Sequence, residues 1–135
     1  MYPQYYLGIE LIDKEHSVLF ALLEDLTRLT YTTPTRDQCF EKVSVLFEYV
    51  MTHLAHEERI LEDQGWPGLT QHKQLHAALS RDLDTLFEEL MATTDLNCLH
   101  FVEKLHTFVL GWLGKHIQEE DAGYAEFLKE RLAFA

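Results

Sequence analysis

The chain is short of cysteine, of positive charge and of long hydrophobic runs, and each shortage removes a class of explanation. Its two cysteines, Cys39 and Cys98, stand far apart in sequence, and neither has a co-ligand at a zinc-type spacing. They read as reduced, small packing residues. Basic residues number 11 against 23 acidic ones, a net charge of −12, with no basic cluster in any segment. Phosphate backbones and anionic lipid would be repelled, so neither nucleic acid nor a membrane surface is an expected partner. No apolar run reaches the ~18 residues of a membrane span, and the opening MYPQYYLGIE lacks the basic and apolar regions of a signal peptide. The expected location is the cytoplasm. Internal repeats, low-complexity tracts and linkers are absent too, and 135 residues suit one domain, 1–135, with a sizeable core. What the chain has in plenty is histidine, with eight residues.

Apolar residues recur at helical intervals in four stretches. From Ile9 to about Tyr31 they are Ile9, Ile12, Leu19, Leu23 and Leu26, with His16 in the slot between Ile12 and Leu19. The Thr-rich segment around Pro34 ends this helix, and Thr35 with Gln38 reads as the capping box of a second. The second carries Phe40, Val43, Leu46, Phe47, Val50, His53, Glu57 and Ile60, and stops at Gly65, Trp66, Pro67 and Gly68. A third, from about Leu69, presents His72, His76, Leu79, Leu83, Leu86 and Leu90. Asp95 is the expected N-cap of the fourth, whose stripe is Phe101, Leu105, Phe108, Trp112, Leu113 and His116. Gly123 should interrupt it before a short closing helix, Tyr124 to Leu132, with Phe127 and Leu128 inward. The pattern predicts an all-α, up-down-up-down four-helix bundle with a short C-terminal helix.

Every stripe contains polar donors. Each has an ordinary explanation by itself: a satisfied core histidine, a surface His–Glu pair, a polar helix start. His53 and Glu57 share a face, as do His72 and His76. Asp121 lies five residues beyond His116, about 140° further round an α-helix, and so reads either as a donor reaching sideways or as a solvated acid beside Glu119 and Glu120. Alternating helix direction changes the weighting. His16 is near the start of helix one, His53 and Glu57 near the end of two, His72 and His76 at the start of three, His116 and Asp121 at the end of four. All seven therefore meet at one end of the core. Five imidazoles and two carboxylates exceed what one ion takes, and carboxylates bridge ion pairs readily, so the site should be dinuclear. His56, about 60° round from His53, is expected behind the donors, and His100 and His106, roughly 160° and 80° from His116, in solvent.

IDKEH around His16, HLAHEE with His53 and Glu57, HKQLH with His72 and His76, and WLGKHIQEED with His116 and Asp121 resemble the hemerythrin signature. The order H, HxxxE, HxxxH, HxxxxD is matched at every ligand position, and the similarity spans roughly Gly8 to Asp121. The resemblance implies two non-haem irons: His72, His76 and His116 on one, His16 and His53 on the other. Glu57, Asp121 and a solvent-derived oxo or hydroxo group would bridge them. The two-histidine iron would keep an open position for dioxygen, nitric oxide or small anions such as azide, in a pocket that Leu54 and Leu19, Trp112, Leu113 and Ile117 would line, although the last four fit an ordinary core equally well. Two departures from the family stand out: Leu54 occupies a position usually held by Phe, and the tryptophan often found upstream of the first motif is missing.

Reversible dioxygen binding, for storage, delivery or scavenging, is the leading expectation, and not enzyme chemistry. The alternative is an oxygen, redox or nitric oxide sensory domain covalently fused to a signalling output domain. A di-iron oxidase of ferritin type ranks below both, because such sites use four carboxylates and two histidines at ExxH spacing.

Overall fold

The computed structural model describes residues 6–132; the expectations for the first five residues and the last three lie outside that range. Four long helices make up the bundle: α1 (Glu10–Leu29), α2 (Arg36–Asp63), α3 (Leu69–Ala92) and α4 (Cys98–Lys115). A π-helical turn, His116–Asp121, follows α4 without a break and leads directly into α5 (Ala122–Leu132). No strand occurs among the described residues. The anticipated interruption at Gly123 is thus absent: the helix widens before the glycine instead of breaking at it.

The termini of these helices follow from identifiable residues. At the start of α2 the capping box forms as expected, with Gln38 N–H donating to Thr35 Oγ1 (3.2 Å) and Thr35 N–H donating to Gln38 Oε1 (3.0 Å). Asp95 does not cap α4, whose N-cap is Asn97 without a side-chain hydrogen bond. Its Oδ1 instead accepts from the Arg36 backbone N–H at 2.7 Å, so it caps α2 across the bundle, and local sequence could not show this. At the end of α2, Gly65 adopts φ +70°. Its N–H donates to Glu62 O, and the Trp66 N–H donates to Leu61 O, which is the Schellman closure that only a residue at ease with positive φ completes cheaply. The following Gly68 is needed for space, because a Cβ there would lie 2.6 Å from the Trp66 ring. Together the two glycines seat Trp66 against the core, beside Tyr124.

The predicted stripes of α1, α2 and α3 point inward, with Ile12, Leu19, Leu23, Leu26, Val43, Leu46, Val50, Leu79, Leu83 and Leu90 all buried and Phe40, Phe47, Ile60 and Leu86 half-buried at their edges. In α4 the buried stripe is Cys98, Val102, Leu105, Val109 and Leu113. The aromatic residues expected there, Phe101, Phe108 and Trp112, pack at its flanks half-buried. His106 also departs from expectation: it is half-buried, with its Nε2 2.9 Å from Thr27 Oγ1 of α1, because 80° from the core face is the flank that meets a neighbouring helix. His100 is exposed as expected. Cys39 and Cys98 are free and buried. Burial, with the Cys98 thiol beside it, pushes the Cys39 thiol up to about 12, which suits an inert packing residue.

Candidate metal centre

His16, His53, Glu57, His72, His76, His116 and Asp121 come together at one end of the core, all buried. The five imidazoles turn Nε2 toward two carboxylates. Glu57 Oε1 lies 2.5 Å from His72 Nε2, 3.1 Å from His76 Nε2 and 3.5 Å from His116 Nε2, whereas Glu57 Oε2 lies 3.3 Å from His53 Nε2. Asp121 divides in the same way, with Oδ1 at 2.8 Å from His116 Nε2 and 3.1 Å from His72 Nε2, and Oδ2 at 3.4 Å from His16 Nε2. Two groups therefore have metal-binding spacing: Glu57 with His72, His76 and His116, and Glu57 with His16 and His53.

The HxxxxD spacing works because of the π-helical turn. In an α-helix Asp121 would stand about 140° from His116; hydrogen bonding to the fifth residue widens the turn and stacks the two side chains. Such turns have no residue signature, so sequence spacing implies the α-helical angle, and the structure departs from it.

The electrostatics of this cluster call for cations. Burial disfavours a charged His53 ring, but the carboxylates of Glu15 and Glu57 outweigh it and raise its pKa to about 9. The same opposition, with Asp121 and Glu57, raises His72 to about 9 and His116 to about 11. Glu57, although its burial favours the neutral acid, is held well below the usual carboxylate range by the surrounding imidazoles. Asp121 is likewise lowered against its burial and the charge of Glu57. Hydrogen bonds do not complete the cluster. Both ring nitrogens of His16, His53 Nε2, Glu57 Oε2 and both oxygens of Asp121 are buried with no hydrogen-bond partner among the described residues. Leaving such groups unsatisfied costs about 1–3 kcal/mol each, and more for charged ones. Two divalent or trivalent cations would satisfy them at once, and nitrogen–carboxylate sets of this kind suit iron.

Sequence reasoning missed a second ring of residues behind the donors. Glu15 Oε1 accepts from His53 Nδ1 at 2.8 Å, Glu58 Oε2 from His76 Nδ1 at 2.8 Å, and Glu120 Oε2 from His116 Nδ1 at 2.5 Å. His56 lies behind the donors as expected, exposed, with its Nδ1 2.9 Å from Glu15 Oε2. Trp112 stacks on the His116 ring at 4.4 Å. Tyr124, fully buried, packs against His72 and Trp66 at 5.5 and 5.8 Å. Burial and the nearby acids raise the Tyr124 pKa well above 10. A usable signal existed, since Tyr124 follows Asp121 by three residues, one turn on. Among the expected pocket residues, Leu19, Leu54, Leu113 and Ile117 are buried and Trp112 half-buried. Leu54 also lines a surface groove of about 480 Å³ between α2 and α3, together with Glu58 and His76. It therefore stands between solvent and the three-imidazole group.

A family profile described as the hemerythrin HHE cation binding domain matches residues 7–128. A bacteriohemerythrin from Stenotrophomonas maltophilia is 28% identical over 126 residues, 93% of this chain and 78% of that protein. One from Clostridium acetobutylicum is 26% identical, over 91% of this chain and 95% of its own length. A crystal structure of wild-type hemerythrin superposes with a TM-score of 0.74 at 22% identity, over 87% of each chain, a likeness of fold.

Proposed function

The chain belongs to the hemerythrin family, and on that premise we propose that it binds dioxygen reversibly at a pair of irons, for storage, delivery or scavenging in the cytoplasm. The observation that carries this reading is the division of five imidazoles, three against two, across two carboxylates that each offer one oxygen to either side. His72, His76 and His116 would hold one iron, and His16 and His53 the other. Glu57, Asp121 and a solvent-derived oxo or hydroxo group would lie between them. The iron pair, when bound, supplies the electrons and the open position on its two-histidine side that reversible binding of dioxygen, nitric oxide or azide requires.

The protein's own share is placement and dryness. Glu57 and Asp121 reach both sides from α2 and the π-helical turn, so each ties the two donor groups together. Leu19, Leu54, Leu113 and Ile117, with Trp112 over the His116 ring, exclude water from the guest. Glu15 holds the proton on His53 Nδ1, which leaves Nε2 free to ligate. Five neutral nitrogen donors and only two inner carboxylates favour binding over oxidase chemistry, so the protein is read as a non-enzyme.

Sensing is the second reading, and one observation favours it. Asp121 passes directly into α5, so a change at this donor would move the terminal helix and any output domain joined to it.

The test is spectroscopic. Anaerobically reduced protein containing two irons per chain should develop an oxy-type absorption band on admission of air, and lose it when oxygen is removed. One ion per chain in fully loaded protein, preference for zinc, or irreversible oxidation without a band rejects the proposal.

A further inference from the structure

Each carboxylate behind the centre is the chain neighbour of an inner donor: Glu15 precedes His16, Glu58 follows Glu57, and Glu120 precedes Asp121. Neighbours differ by 100° on an α-helix, as for Glu15 and Glu58, and by somewhat less in the wider π-helical turn that carries Glu120. When one faces the core the other sits at the helix flank, where it meets the back of an imidazole. Glu15 on α1 thus reaches His53 on α2, and Glu58 on α2 reaches His76 on α3, each at 2.8 Å; Glu120 turns back to His116 at 2.5 Å. The side chains are partly accessible, 13%, 27% and 18% exposed respectively, so each carboxylate lies between a buried ring and water. Among the described residues His16 has no such partner on Nδ1.

We propose that Glu15, Glu58 and Glu120 are positioning residues that set the redox balance of the centre. Each fixes one imidazole with Nε2 inward, and each adds a negative charge just outside the ligand shell. This rests on the di-iron reading above. An N–H held by an anion makes the ring a stronger donor, and three anions around the pair favour its more highly charged, oxidised form. The effect is ranked by geometry. Glu120 has the shortest contact and should act most strongly. The charge of Glu15 is shared with His56 through Oε2, and Glu58 is the most exposed of the three, so both should act less.

The experiment separates charge from placement. Glu120→Gln, Glu58→Gln and Glu15→Gln keep a hydrogen-bond acceptor and lose the charge; the alanine variants lose both. Iron content is measured by metal analysis and the midpoint potential by spectroelectrochemistry. The glutamine variants should keep two irons and show raised potentials and slower autoxidation. The shift expected for Glu120→Gln is about tenfold in the equilibrium, or about 59 mV per electron. The alanine variants should also bind iron about 10-fold more weakly or worse. Glu62→Gln, an exposed carboxylate in the same groove as Glu58, removes equal charge without touching an imidazole and should leave the potential nearly unchanged. Glutamine variants with the wild-type potential, glutamine variants that lose their iron, or a Glu62→Gln shift as large as that of Glu58→Gln would each overturn the proposal. Failure of the di-iron reading itself would appear in the wild-type protein, as other than two irons per chain.

Discussion

His53 and His72 sit beside carboxylates that, against the burial of the rings, raise both from 6.5 to about 9. A ring whose pKa is higher folded than unfolded adds stability that is complete below pH 6.5 and gone once pH passes the folded value. Glu57 and Asp121, held low, act in the opposite sense: their contribution is present above the usual carboxylate range and lost as pH falls below it. Iron-free protein should therefore weaken as pH climbs from 6.5 to 9, on the order of 2 kcal/mol per ring. Iron replaces those protons, so loaded protein should lack the decline. Urea midpoints of both forms at pH 6 and pH 9 check this; an iron-free midpoint that holds level or rises would contradict it. Leu54 carries the second residue-scale prediction. It is buried beside His76 at the wall of the α2–α3 groove, and a smaller side chain there than the family's usual Phe admits water more readily. Under the proposed function, Leu54→Phe should slow autoxidation several-fold, read from the decay of the oxy absorption. An unchanged rate would mean that water enters elsewhere.

The helices themselves were largely legible, because apolar period and capping chemistry are local. The Thr35–Gln38 capping box and the stop at Gly65 stand where sequence placed them. The convergence of six of the seven residues was legible for a related reason: each occupies a slot in a stripe, and alternation of four helices sends them to one end, whereas Asp121 lies off the stripe of an α-helix and reaches the others through the π-helical turn. Features decided by a neighbouring element were not. Asp95 caps a helix other than the one it precedes, His106 meets Thr27 across an interface, and the three outer glutamates back rings on faces that the inner donors had claimed. The π-helical turn was hidden by the assumption of 3.6 residues per turn. It also makes a prediction about length. The turn holds one residue more than an α-helix over the same sweep, so deleting the exposed Gln118 should convert it to α-helix, with His116 and Asp121 then four apart and still on one face. Such a protein should fold and retain iron. Deleting the exposed Lys104 from α4 has no slack to absorb it and should rotate everything beyond by 100°, abolishing iron binding. Circular dichroism and metal analysis distinguish the two; equal damage from both deletions would show that the wide turn is not spare length.

Taken whole, the molecule has two unlike ends. At one, helices end and begin around seven polar donors; at the other, Leu26, Cys39, Val43, Leu90, Cys98 and Val102 form a mainly apolar core with Thr93 as its buried polar residue. Hydrophobic burial holds the second end whether or not metal is bound. The first depends on its cations, which at a thousandfold excess over the dissociation constant add about 4 kcal/mol. Removing iron should therefore leave α-helical content mostly intact while amides near His16, His53, His72 and His116 exchange at least tenfold faster. Amides near Val43 and Val102 should keep their protection. Uniform acceleration along all four helices would contradict this. The asymmetry has a further consequence for how the protein ages: damage to the centre does not cost the chain its scaffold. On that expectation a spent molecule stripped of iron would stay clamped at its apolar end, loosened at a single mouth, and ready to be refilled without being rebuilt.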